Sequence, residues 1–220
     1  MLVTLGRTRF IGLAVVVIAG CGGGKKATAT EPTPTSTNGV CENAVAHTHE
    51  EGGYPDKHLK LDSNTTYRLV VETNCGNFTI TLDPKLAPNA TGSLVSLAQR
   101  GFFKDTFFHR IVPGFVIQGG DPTGTGTGGP GYQTHDSVPA NASYRHGVVA
   151  MAKAGAEPAG TAGSQFFVVT GQDAGLTPDY AVVGKVTSGL DVVDKIGELG
   201  DPNQRPTENV VIVNVRVETS

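Results

Sequence analysis

The chain has 220 residues, 38% hydrophobic and 17% charged, with a formal net charge of −3, which suits one globular domain with a proper core plus appendages. Seventeen Lys and Arg against 20 Asp and Glu exclude a basic nucleic-acid binder. Thirty glycines and 6% aromatics point to many turns, in an all-β domain or in disordered flanks.

In chain order, Arg7 and Arg9 form a short basic region. Phe10 to Ala19 is an apolar stretch of signal-peptide length, too short to span a bilayer. It ends in Ile18-Ala19-Gly20-Cys21, which resembles the bacterial lipoprotein box, whose cysteine is acylated and becomes the mature N-terminus. The alternative is an ordinary secretory signal with a chance cysteine. Two or three acyl chains would supply the anchoring that a single chain gives only marginally. The expected location is therefore extracytoplasmic, lipid-anchored to a bacterial membrane through Cys21, with residues 1–20 as signal peptide. Residues 21–40 are almost all small, polar, Pro or Gly and read as a flexible tether. Residues 41–64 form an N-terminal extension, and 65–220 the folded domain. With Cys21 acylated, Cys41 and Cys75 remain, and outside the cytoplasm such a pair most often forms a disulfide; two free thiols are the alternative.

Within the domain, Tyr67 to Glu72 and Phe78 to Leu82 read as strands, the second alternating cleanly. Pro88 opens a helix whose Ala90, Leu94, Leu97 and Ala98 share one face and whose C′ residue is Gly101. Apolar stretches follow at 107–112, 115–118, 147–151, 165–169 and 181–186. A second short helix starts at Leu190, with Ser188 and Asp191 in a capping-box pattern, and residues 213–218 close the chain as an alternating strand. Many short strands, two helices and no βαβ rhythm favour a closed antiparallel barrel. The loop 119–131, with seven glycines in thirteen positions, lacks the Gly-Lys-Ser/Thr ending of a phosphate loop. It reads as a surface loop whose backbone shapes the rim of a pocket.

One residue stands out in Phe107-Phe108-His109-Arg110-Ile111-Val112. An unpaired guanidinium in so apolar a run is very costly if it enters the core. Arg110 is either a solvated strand residue or is held at the edge of an apolar pocket for a purpose.

Phe108-His109-Arg110-Ile111-Val112, Phe115 and Gln118-Gly119-Gly120-Asp121, then Gly163-Ser164-Gln165-Phe166-Phe167 and Val183-Gly184-Lys185-Val186, closely resemble the cyclophilin-type peptidyl-prolyl isomerases. The resemblance covers roughly residues 66 to 219. It implies a mainly β fold, a closed eight-stranded antiparallel barrel capped by two α-helices, with the active site on its outer face. It makes Arg110 the catalytic donor, Phe115 and Gln118 its catalytic companions, and Phe167, Leu176 and Val116 the lining of a proline pocket with Phe115. Gln165 helps build the groove, and Ala152, Lys153 and Ala154 occupy the stretch whose backbone pairs with the residues before proline. His109 takes the family's histidine position, and Tyr180 stands at the pocket rim where a histidine is common. No metal, nucleotide or other cofactor is implied; the partners are proline-containing polypeptides and, through the anchor, a membrane, with no nucleic acid and a monomeric state expected.

Three departures bear on specificity. Gly175 stands where cyclosporin-sensitive members carry tryptophan, which implies weak cyclosporin binding. Lys153 replaces the usual asparagine, and the loop from Gly155 to Ala162 is longer than in short forms. Lys153 and Gly175 keep a second function class open, a proline-peptide binding or chaperone module with little turnover; a pure binder, however, does not need the fixed cation. His47-Thr48-His49-Glu50-Glu51 with His58 has the chemistry for a divalent metal, although a polar linker is the simpler reading. Asn64, Asn77, Asn89 and Asn141 head glycosylation acceptor triplets, which a bacterial signal makes irrelevant.

Overall fold

A computed structural model describes residues 40–56 and 59–220. The signal segment, Cys21, the tether up to residue 39 and His58 lie outside the described residues. In chain order the elements are β1 (Tyr67–Thr73), β2 (Gly76–Leu82), α1 (Pro88–Gln99), β3 (Thr106–Phe107), β4 (Arg110–Val112), β5 (Val116–Gly119), β6 (Thr134–His135), β7 (Val148–Met151), β8 (Thr161–Ala162), β9 (Phe166–Val169), β10 (Val182–Ser188), α2 (Leu190–Gly197) and β11 (Val211–Thr219).

Nine of these strands form one antiparallel sheet, in the order β3-β11-β1-β2-β10-β7-β9-β5-β4, while β6 and β8 pair separately. The expected closed eight-stranded barrel is thereby corrected to a curled half-barrel of nine strands. Its two edges, β3 and β4, are consecutive in sequence but do not pair with each other. The segment before β11 takes up their donors instead: Phe108 N–H donates to Val210 O at 2.9 Å and Ile111 N–H to Gln204 O at 3.0 Å.

The strands alternate as half-buried strands must. Ile111, Ile117, Val149 and Val168 sit in mutual register and point inward, all fully buried. An aromatic chain closes the interior, with Phe108 and Phe103 each meeting Phe166 edge-on at 6.0 Å. α1 starts at Pro88 as expected, with Gly101 past its end at φ +70°. Its first free N–H groups are satisfied from a distance by buried Asp136, which accepts from Asn89 N–H at 3.0 Å and Ala90 N–H at 2.8 Å. The sequence predicts one buried face, yet every residue from Ala90 to Ala98 is buried. The cover is the N-terminal extension: Leu59 N–H donates to Gly92 O at 3.2 Å. A Cβ on Gly92 would lie 2.0 Å from Leu59 O, so only glycine fits there. α2 begins after Gly189 at φ 72°, with no side-chain cap. The expected capping box does not form because Ser188 stays in the β10 ladder opposite Thr79.

The extension is a strap rather than a loose linker. Cys41 and Cys75 form a disulfide, and backbone bonds follow from Glu42 N–H to Asn74 O, His47 N–H to Asp105 O, His49 N–H to Pro122 O and Gly52 N–H to Gly129 O. Tyr54 then packs edge-on against Phe102 at 4.8 Å, under Arg100. His47 and His49 are engaged with Asp105 and the Lys104 carbonyl. Among the described residues no group of three or more side chains is placed to hold a metal.

Candidate active site

The register that sends Ile111 inward sends its neighbours out. Arg110 on β4 faces Gln118 on β5, Gln118 faces Phe167 on β9, and Phe167 faces Ala150 on β7. Four residues far apart in sequence thus form one row on the outer face. Around that row a second apolar cluster gathers, separate from the interior one: Val116, Tyr144, Ala150, Phe167 and Val169, with Phe115, Leu176, Ala152 and Tyr180 packed against it. Phe115, Leu176 and Tyr180 are only half-buried, so this cluster is an open recess. Tyr180 meets Phe167 edge-on at 5.6 Å. The Tyr144 hydroxyl anchors Tyr180 by donating to its carbonyl at 2.9 Å and accepting its N–H at 2.9 Å. Burial raises the Tyr144 pKa, which keeps the hydroxyl protonated for that role.

Arg110 lies beside the recess, half-buried, its guanidinium 5.8 Å from the Phe115 ring centroid. Nη1 donates to Gln118 Oε1 at 3.3 Å, Gln118 Nε2 to Gln165 Oε1 at 3.0 Å, and Gln165 Nε2 to Gly128 O at 3.0 Å. Burial lowers the Arg110 pKa, an effect offset in part by Tyr180; guanidinium starts so basic that the group stays charged. His109 is half-buried near Gly126 of the glycine-rich loop: burial lowers its pKa, Asp121 opposes this and Arg110 adds to it. Its buried Nδ1 has no partner among the described residues.

The glycine-rich loop ends this chain of contacts. Asp121 is fully buried, and its carboxylate accepts from Thr123 N–H at 2.7 Å, Thr123 Oγ1 at 2.8 Å, Gly126 N–H at 2.5 Å and Gly128 N–H at 3.2 Å. Burial pushes its pKa up, but the bonds from Thr123, Gly128 and Gly126 outweigh that and hold it below 3.8. The amides that would cradle a phosphate are occupied by the chain's own carboxylate. Gly120, at φ +83°, lets the Gln118-Gly119-Gly120-Asp121 block touch the second block: a Cβ there would lie 2.5 Å from Ser164 O. Ser164 Oγ donates to Gly120 O at 2.7 Å.

Residues 126–133 of the loop line a cleft of about 650 Å³ together with Gln118, Gln165, Ala152, Lys153 and Ala154. Ala152 N–H donates to Gln165 O at 2.9 Å. Lys153 is not a free cation on this wall. Its side chain is 2% exposed, its Nζ pairs with Asp179 at 2.7 Å and donates to Glu157 O at 3.0 Å, and it lies over the Tyr180 ring. Gly175 sits exposed at φ +63°, with nothing within 4 Å of where a Cβ would stand.

The structure therefore draws Arg110, Phe115, Val116, Gln118, Gln165, Phe167, Leu176 and Tyr180 together, with Ala152 to Ala154 on the adjoining cleft and His109 behind. Sequence reasoning misses Gln204, whose Oε1 accepts from Arg110 Nε at 2.8 Å; it names Glu51 only as a candidate metal ligand, whereas in the strap Glu51 lines the cleft. Gln204 lies in no motif, and only the folding of distant segments onto the site reveals either placement.

A cation and two amides beside an apolar recess have the chemistry to hold a polypeptide and polarise one of its amides. The family model for cyclophilin-type peptidyl-prolyl cis-trans isomerase/CLD matches residues 68–217. A Helicobacter pylori peptidyl-prolyl cis-trans isomerase is 44% identical over 137 residues, covering 61% of this chain and 82% of that one. Peptidyl-prolyl cis-trans isomerase-like 1 of Gibberella zeae is 36% identical over 157 residues, covering 69% and 95%. A crystal structure of a Cryptosporidium parvum cyclophilin-type isomerase, determined in the presence of the dipeptide Ala-Pro, matches with TM-score 0.64 and 31% identity over 69% of this chain and 98% of that one. The chain belongs to the cyclophilin-type peptidyl-prolyl cis-trans isomerases.

Proposed function

We propose that this isomerase turns over X-Pro bonds in exported proteins, with Arg110 as the catalytic donor, while tethered to a membrane through acylated Cys21. The observation that carries the mechanism is the row Arg110–Gln118–Phe167, a fixed cation beside an open apolar recess. An X-Pro amide resists rotation with a barrier of about 20 kcal/mol. No proton has to leave and no bond has to break. In the twisted state the proline nitrogen becomes pyramidal and regains a lone pair. A donor aimed at that nitrogen favours the twisted state over both planar ones, and only such differential binding lowers the barrier. Phe115, Val116, Phe167 and Leu176 would receive the proline ring, with Tyr180 at the rim. The Ala-Pro dipeptide used with the Cryptosporidium relative supports a proline-bearing substrate. The basic n-region, the short apolar stretch and Cys21 support the anchor.

The test follows cis-to-trans conversion of a short X-Pro peptide by the purified full-length chain and by Arg110→Ala. The variant is expected to be slowed at least tenfold, about 1.4 kcal/mol of barrier. A folded wild type no faster than the uncatalysed reaction would leave a proline-peptide binding module. Equal, fast rates in both proteins would overturn the role of Arg110. Radiolabelled palmitate incorporated by wild type but not by Cys21→Ser tests the anchor.

A further inference from the structure

We infer that Gln204 is a positioning residue for catalysis, fixing the guanidinium of Arg110 from the side opposite Gln118; the inference rests on the proposed role of Arg110. An arginine side chain left to itself samples many rotamers, and a donor helps a transition state only if it is already aimed. Arg110 sits on β4, the edge strand, so no further strand fixes it from outside. The loop 201–205 does so instead. Gln204 contacts β4 twice: its carbonyl accepts from Ile111 N–H at 3.0 Å, and its side-chain Oε1 accepts from Arg110 Nε at 2.8 Å. The second bond is shorter than the 3.3 Å bond from Nη1 to Gln118. With Nε and Nη1 both taken, the planar fork has one orientation, and Nη2 has no bond among the described residues.

The loop is built to hold this pose. Asp201 Oδ1 accepts from Asn203 N–H and Arg205 N–H, both at 2.8 Å, and Gln204 N–H donates to Asp201 O at 2.9 Å. Gln204 itself takes φ +66°, a conformation that L-residues adopt only with strain. Glycine would suit that backbone better, yet the position carries a long side chain whose amide reaches Arg110.

That strain supplies the test, made on the full-length chain with a short Ala-Pro peptide. Gln204→Met keeps length without an acceptor, Gln204→Gly relieves the backbone and removes the side chain, and Gln204→Glu keeps an acceptor. The first two are expected to lower kcat about three- to tenfold, the range of one lost hydrogen bond, with KM unchanged. Gln204→Gly should do so while its Tm holds or rises, which a merely structural role would not produce. Gln204→Glu should retain about half or more of the wild-type kcat, because an acceptor still faces the fork. The Arg110 Nε–H resonance should be sharp in wild type and Gln204→Glu and exchange-broadened in the other two. Gln204→Met at wild-type kcat, or a rise in KM alone, would overturn the inference while Arg110→Ala stays slow. A fast Arg110→Ala would instead bring down the arginine reading beneath it.

Discussion

The two apolar clusters of this domain are made by the same strands, facing opposite ways. On β9, Phe166 enters the interior and Phe167 the outer recess; on β5, Ile117 goes in and Val116 goes out. Both phenylalanines of β9 are 4% exposed, so burial alone does not tell structure from site. The interior is closed by aromatics meeting edge-on, Phe102, Phe103, Phe108 and Phe166. The outer cluster is closed on one side only, leaving Phe115, Leu176 and Tyr180 half-buried around a gap and a guanidinium at its rim. A pocket is a core with one wall missing and one charge added.

The largest expected effect separates the two clusters by stability. Phe108→Ala, in the closed interior, should cost about 3 to 5 kcal/mol in urea unfolding. Phe115→Ala should cost far less in stability but raise KM for an X-Pro peptide strongly. If the two variants lose stability equally, the recess is as sealed as the interior and the distinction fails.

Next in size is the strap. Opening the Cys41–Cys75 disulfide, which closes a separation of 34 residues, should lower stability by about 3 to 4 kcal/mol in the chain-entropy model. Reduction of wild type read by thermal unfolding, beside Cys41→Ser/Cys75→Ser, checks this. An unchanged Tm would mean that the strap holds through its backbone bonds alone.

The smallest effect concerns pH and sets His109 against Asp121. His109 is held below its ordinary 6.5, mainly by burial, so the unfolded chain takes up its proton first. Stability should therefore fall as pH drops below about 6.5 towards the lowered folded value. Asp121 is held below 3.8 by the loop amides despite burial; its contribution is present above 3.8 and lost as pH falls through the folded pKa. Urea midpoints from pH 7 to 3 should show two separate losses, and His109→Gln should flatten only the upper one. A His109→Gln curve identical to wild type would put the upper loss elsewhere.

Much of this was legible from the residues themselves. Alternation in Phe78–Leu82 marked a strand, Pro88 and Gly101 bracketed a helix, and an arginine inside an apolar run had to stay out of the core, either solvated or at a pocket edge. Those signals are local: a period of two, a missing N–H, a tolerated left-handed residue, the desolvation of a charge. The capping box at Ser188 shows the limit, because a strand pairing opposite Thr79 claimed that residue first. Closure of the barrel could not be read either, since it depends on which donors the 200–210 segment takes from the two edges. Sequence by itself determined that Arg110 had to stay out of the core. Tertiary structure alone decided what meets Arg110 there: Gln118 through strand register, Phe167 one strand further, and Gln204 from 94 residues away. Register and loop placement minimise the free energy of the whole chain, so no single segment encodes them.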